Sequence, residues 1–232
     1  MLVKTKMVWL PVLLSVAFVA VTAGLASFGR SGGGQNVYDL SKVAQGSGWS
    51  VVNRGVTAIE DSGRKAVRFD GRPGSGIAWL EGVSFSEGVI EFDVRGQDVE
   101  QRSFVGIVFH GVDDNTFDAV YFRPFNFKSP DPAKAGHSVQ YVSHPEFTWQ
   151  KLRAEKPDQY EQPVRPVPDP NGWFHARLVI DGSKVSVSVN DAKEPSLVIE
   201  KLGGRREGRV GLFVGNNSGG DFANLRLEPE RR

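Results

Sequence analysis

Apolar and polar residues alternate with a period of two over several stretches of the chain. Gly88–Arg95 reads Gly-Val-Ile-Glu-Phe-Asp-Val-Arg, which puts Ile90, Phe92 and Val94 on one face and Val89, Glu91, Asp93 and Arg95 on the other. Residues 184–190 alternate Val185, Val187 and Val189 against Ser186 and Ser188, and residues 196–202 return as a partner after an Asn190-Asp191 turn. Successive side chains of a strand point to opposite sides, so each pattern predicts a strand buried on one face. Residues 104–110 and 119–125 form a further expected hairpin around Asp113-Asp114-Asn115, and Arg209–Val214 pairs with 222–227 around a Gly/Asn-rich turn. Shorter apolar runs at 51–59, 66–70 and 77–80 are bounded by Gly, Asp and Pro, the residues of turns. No helical stripe persists over ten residues. The expected fold is all-β, a two-sheet antiparallel β-sandwich (jelly roll) over residues 37–232.

Residues 128–172 break this pattern. They are dense in proline and polar groups, and 137–143 is their one strand-like run. The segment reads as a long excursion over an edge or face of the sandwich. Long ordered connections in compact domains frequently carry function.

The first thirty residues differ again. Lys4 and Lys6 precede an uncharged apolar run over 7–26, followed by small residues at Ala23, Gly24, Ala26 and Ser27. Residues 1–28 read as a signal peptide, with an uncleaved N-terminal membrane anchor as the rival, since twenty apolar residues can span about 30 Å of hydrocarbon. Residues 29–36 read as a flexible Gly/Ser linker. Either reading places the domain outside the cytoplasm: periplasmic, extracellular or anchored on the outer side of the cytoplasmic membrane. The chain has no Cys, which excludes disulfides and thiol chemistry. Loss of Lys4 and Lys6 with the leader takes the basic count from 28 to 26 against 27 acids, a net charge near −1. No block of like charge exists, so nucleic acid is not expected as a partner, and a membrane only through the anchor. The oligomeric state is not legible.

Candidate chemistry concentrates between His110 and Arg153. Three of the four His lie there, His110, His137 and His144, with Tyr121, Arg123, Gln140, Tyr141, Glu146, Trp149 and Arg153. In a strand over 119–125, Tyr121 and Arg123 share a face while Val120 and Phe122 point into the core. A saccharide site needs a flat ring against the apolar face of a pyranose and planar or charged groups for its hydroxyls. Tyr121, Arg123, His137, Gln140, Tyr141, Trp149 and Arg153 are the expected substrate-binding residues. The bland alternative is a solvated outer face beside a loop pinned by buried Trp149 and His144. His110, His137, His144 and Glu146 have the ligand types for zinc, but their spacing matches no known motif, and neither metal nor cofactor is expected. Asp113-Asp114-Asn115 reads as a turn before it reads as a calcium loop. No Gly-x-Ser-x-Gly elbow exists, and 216–220 precedes a strand, so it reads as a turn, with the rim of a site as its functional alternative.

The stretch from Lys184 through Gly-Arg-Val-Gly-Leu-Phe-Val-Gly-Asn to Asp-Phe-Ala-Asn-Leu-Arg-Leu resembles the closing strands of concanavalin A-like lectin/glucanase domains. Gly88–Arg95 with 103–123 is similar to laminin-G-like domains and to 3-keto-disaccharide hydrolase-type domains. The resemblance spans 37–228 and implies a jelly roll that binds a saccharide on a concave face. Glu91-Phe92-Asp93 resembles part of the Glu-x-Asp-x-x-Glu strand of laminarinase-type enzymes, which need two carboxyls about 5–5.5 Å apart. Gly96 stands where the last acid belongs, so that mechanism is not expected. The 3-keto-disaccharide resemblance implies proton abstraction and elimination, with His110, His144 or Glu146 as base and Arg123 beside the oxyanion. A glycan-binding module is the first expectation, an enzyme on a (3-keto-)glycoside the second, a structural or adhesive envelope module the third.

Overall fold

A computed structural model describes residues 35–230; the leader at 1–28 and most of the linker at 29–36 lie outside the described residues. Fifteen strands hold nearly half of the described residues. They are β1 (Asn36–Val37), β2 (Trp49–Val52), β3 (Val56–Asp61), β4 (Arg64–Phe69), β5 (Gly76–Leu80), β6 (Gly88–Arg95), β7 (Val105–Asp113) and β8 (Thr116–Phe122). After them come β9 (Val139–His144), β10 (Glu161–Gln162), β11 (Phe174–Asp181), β12 (Lys184–Val189), β13 (Leu197–Glu200), β14 (Arg209–Val214) and β15 (Gly220–Pro229). They form an eight-stranded sheet in the order β13-β12-β11-β6-β15-β4-β3, with β1 also on β15, and a seven-stranded sheet in the order β10-β9-β8-β7-β14-β5-β2. The pairings are antiparallel. This is the two-sheet sandwich the alternation predicts.

The core lies between the sheets. Ile90, Phe92 and Val94 of β6 are fully buried, as are Val185, Val187 and Val189 of β12, while the residues between them are partly exposed. Phe122 and Phe174, one ring from each sheet, pack edge to face with centroids 5.1 Å apart. Burying such a side chain contributes about 1.5–3 kcal/mol, which fixes the register, because a one-residue slip would turn the whole apolar set to water. The β11–β12 turn runs through Asp181 and Lys184, and the β12–β13 turn carries Asn190 and Asp191 at φ 48° and 56°. Asn and Asp tolerate that left-handed backbone better than most residues.

The excursion over 128–172 is more ordered than its composition suggests. It holds β9, β10 and two short helices, α1 (Pro132–Gly136) and α2 (Trp149–Glu155). Asp131 caps α1 and Pro132 begins it, while Thr148 Oγ1 accepts from Lys151 N at the start of α2. Leu152 is the buried anchor of α2. The period of so short a helix covers two turns, too few to register against the polar background. Among the described residues no helix is long and apolar enough to cross a membrane.

Candidate functional site

The outer face of the seven-stranded sheet carries a row of rings. Alternation places Trp79 of β5, Phe213 of β14 and Phe117 and Tyr121 of β8 on that side, with Gln140 and His144 of β9 beside them. Neighbouring rings stand 5.1–6.3 Å apart: Trp79 to Phe117 at 6.3 Å, Phe117 to Phe213 at 6.1 Å, Phe213 to Tyr121 at 5.8 Å and Phe117 to His144 at 5.1 Å. Gly106 lies directly across from Tyr121. A Cβ there would come within 2.8 Å of the Tyr121 Cβ and 2.1 Å of the Val120 carbonyl, so the close strand approach needs glycine.

Over the Tyr121 end of this row opens a groove of about 590 Å³. Its floor is Tyr121 and Phe213, and its walls are Phe104, Arg123, His144, the α2 residues Trp149, Gln150 and Arg153, and the Asn216-Asn217 loop. Trp149 is 40% exposed, so its ring is available to a ligand; the expectation that it is a buried pin does not hold. The loop is held by Arg54, a buried guanidinium that donates to the carbonyls of Asn53, Gly74, Gly215 and Ser218. Asn216 Oδ1 accepts from Gly74 N at 2.7 Å.

The polar end of the groove is organised by a residue that sequence reasoning missed. Glu161, on the two-residue strand β10, is buried and sits opposite Gln140. Arg153 donates to it through Nε at 2.8 Å and Nη2 at 2.7 Å, Arg123 Nη1 lies 3.5 Å away, and His137 Nδ1 2.9 Å away. Arg123 also donates to His137 O at 2.8 Å, to Tyr121 Oη at 3.1 Å and to Gln140 Oε1, which accepts in turn from Tyr121 Oη at 3.0 Å. The Arg153 guanidinium lies 5.0 Å above the Trp149 ring. The hydrogen bonds to Glu161 push Arg153 further up in basicity. Burial holds His137 below the ordinary histidine range, and burial aided by Arg205 does the same for His144. Both imidazoles are therefore neutral near pH 7.

The structure thus brings Tyr121, Arg123, His144, Trp149 and Arg153 to one groove, with Gln140 and His137 directly behind it. Tyr141 and His110 lie elsewhere. Tyr141 faces the interior, where its hydroxyl donates to Asp118 Oδ1 at 2.9 Å. Strict alternation would put His110 on the groove side with Gly106, but β7 bulges after Phe109 and His110 adopts φ 50°. The ring is turned inward, with Nε2 2.8 Å from Ser86 O and Nδ1 3.3 Å from Asp118 Oδ2, and is fully buried. Glu146 is exposed and stands 3.5 Å from Lys151 Nζ. His110, His144 and Glu146 do not converge on a common point of the groove. Among the described residues no three His, Asp or Glu side chains gather as metal ligands would.

A second cavity of about 590 Å³ opens on the eight-stranded sheet, with Arg68, Arg95, Arg102 and Asp221 in its walls. Arg68 and Arg95 both donate to Asp221 there, a carboxylate stands in the wall itself, and no exposed ring lines it, which separates it from the first groove. The first groove can stack a ring and bond hydroxyls at the same time. No carboxylate lines it among the described residues, which leaves a paired-carboxyl mechanism without its parts.

No family model and no curated protein matches the chain. Solved structures do. A Bacillus subtilis protein with a galectin-like fold superposes with TM-score 0.57 at 13% identity, covering 85% of this chain and 96% of its own. The carbohydrate-binding module CBM66 from Bacillus subtilis gives 0.54 at 17%, over 78% and 96%. The exoplasmic/lumenal domain of VIP36, bound to calcium and Man3GlcNAc, gives 0.52 at 12%, over 85% and 91%. The likeness is one of fold, a two-sheet antiparallel jelly roll.

Proposed function

We propose that this protein is an exported glycan-binding module that holds a saccharide in the groove on the outer face of the seven-stranded sheet. The observation that carries the reading is the meeting of exposed Trp149, half-buried Phe104 and the Tyr121 floor with Arg123, Arg153, His144 and the Asn216-Asn217 loop in one cavity. A pyranose presents an apolar face to the rings, and its hydroxyls reach the planar donors. Similarity of fold to CBM66 and to the Man3GlcNAc-bound VIP36 domain supports the ligand class. The apolar run at 7–26 supports export, with 1–28 as leader or anchor and 29–36 as spacer. The test is binding to arrayed and immobilised polysaccharides, followed by tryptophan fluorescence. Binding with a fluorescence change that is lost in Trp149→Phe is expected; silence across every glycan defeats the reading.

Cleavage of a 3-keto-glycoside is a second reading, and one observation favours it. His144 lines the groove and is held neutral by burial, as a general base must be. Turnover of 3-keto-glucosides that disappears in His144→Ala would establish it, and full activity in that variant would remove His144 from the scheme.

A further inference from the structure

The charge balance of the groove narrows the ligand. Two guanidiniums, Arg123 and Arg153, reach its surface, and the carboxylate that serves both, Glu161, is buried behind them and absent from the lining. Asp158, three positions before Glu161, is exposed to water and outside the lining, although its charge reaches Arg153. With His137 and His144 neutral near pH 7, the groups lining this end and the carboxylate behind them sum to one net positive charge. Two of its donor atoms face no acceptor. Glu161 takes Nε and Nη2 of Arg153, and His137 O, Glu161, Tyr121 and Gln140 take the Nη1 and Nη2 groups of Arg123. Arg153 Nη1 and Arg123 Nε make no hydrogen bond among the described residues. Glu161 and the Trp149 ring fix the Arg153 side chain, so little freedom is lost when a ligand arrives. Neutral sugars are satisfied by amides, hydroxyls and carboxylates together; a site with free guanidinium donors and no acidic wall is complementary to an anion.

We infer that the groove selects an acidic saccharide, whose anionic substituent meets Arg153 Nη1 while the adjoining sugar face stacks on Trp149. The inference rests on the glycan-binding reading. A uronate carboxylate and a sulfate ester share the chemistry required.

Matched pairs of probes test it. Galacturonan is compared with its methyl ester, C6-oxidised cellulose with cellulose, and dextran sulfate with dextran. The first two pairs report a carboxylate, the third a sulfate. At least one acidic member is expected to bind tenfold or more tightly than its neutral partner. That affinity falls severalfold between 50 and 500 mM salt, because the Debye length shrinks from roughly 14 Å to about 4 Å. Arg153→Gln is expected to abolish the preference and the salt dependence, whereas Trp149→Ala weakens both members of a pair alike. Equal or tighter binding of the neutral members overturns the inference and leaves glycan binding in place. Failure of every probe, acidic and neutral, overturns both. An unchanged acid preference in a folded Arg153→Gln protein also overturns it, since the charge would then be read elsewhere.

Discussion

The two outer faces of the sandwich arise from the same alternation and carry opposite chemistry. On the eight-stranded sheet the charged side chains meet one another. Arg177 donates to Glu91 at 3.1 Å, Arg64 to Asp93 at 3.2 Å, and Arg95 bridges Asp61 and Asp221 at 2.5 and 2.6 Å. Several of these partners are directly opposite in register: Arg177 across from Glu91, His175 from Asp93 and Arg68 from Asp221. On the seven-stranded sheet the corresponding positions hold rings, and two arginines that line the cavity each keep one nitrogen without a hydrogen bond among the described residues. A polar face that closes on itself across neighbouring strands is a surface. A face whose donors are pre-aimed and left open is a site. The same length of strand, read as alternation alone, gives no hint of which it is.

The comparison is broken most severely by removing Glu161. On the groove side this one buried carboxylate serves two guanidiniums and an imidazole, and Arg123 is itself buried. Glu161→Ala leaves the two guanidiniums without their countercharge and is expected to cost about 3 kcal/mol of stability, read from the midpoint of urea unfolding. A loss below about 1 kcal/mol would mean that water takes over the role of the carboxylate and that the groove is not rigidly pre-organised.

Trp149→Ala acts on function instead. The ring is exposed, so stability is expected to change by less than about 1 kcal/mol, while affinity for a bound saccharide falls at least about tenfold, or 1.4 kcal/mol. Titration calorimetry on the folded variant separates the two. Arg177→Ala is the matching change on the other sheet. Its pair with Glu91 is partly exposed on both sides, and the expected loss is within about 0.5 kcal/mol with no effect on saccharide affinity. If Arg177→Ala weakened binding as Trp149→Ala does, the division between the faces would be false.

The strands were legible because burial on one side imposes a period of two, and Gly88–Arg95 and 184–190 keep it without interruption. Arg209–Val214 is buried on both faces and joins β5 and β7, so the expected pairing with 222–227, which lies in the other sheet, does not form. Tyr121, Arg123 and Trp149 were legible as residue types suited to sugars, and the chain brings them together through β8, β9 and α2. His110 was not, because a single bulge reverses the side of the sheet it faces and nothing in Phe109-His110-Gly111 announces one. Glu161 was not, because a two-residue strand has no period to detect and its importance comes from a register partner, Gln140, that is 21 positions away. Phe213 and Phe104 were not singled out, because an apolar ring in a strand carries no sign of which face it takes, and their rings pack against Tyr121 on the side turned away from the opposing sheet. Alternation states that two faces differ. It does not state which of them a loop will later cover.

The smallest expected effect sharpens the contrast between the faces through pH. On the eight-stranded sheet His175 Nδ1 lies 2.9 Å from Asp93 Oδ1, and that hydrogen bond raises the histidine above its ordinary range, against the opposing effect of burial. A raised folded value means that the contribution is fully present below the unfolded value of about 6.5 and is lost as pH rises through the folded one. On the other sheet His144 and His137 are lowered by burial, so the unfolded chain takes up protons first and stability falls as pH drops below about 6.5. The two faces therefore pull in opposite directions across the same window. His175→Gln is expected to flatten the decline on the alkaline side of about pH 6.5, and His144→Gln the decline on the acid side, in urea midpoints measured from about pH 5 to 8. Curves for the two variants that depart from the wild type in the same direction would show that the imidazoles share one environment, and that the faces differ in shape without differing in electrostatics.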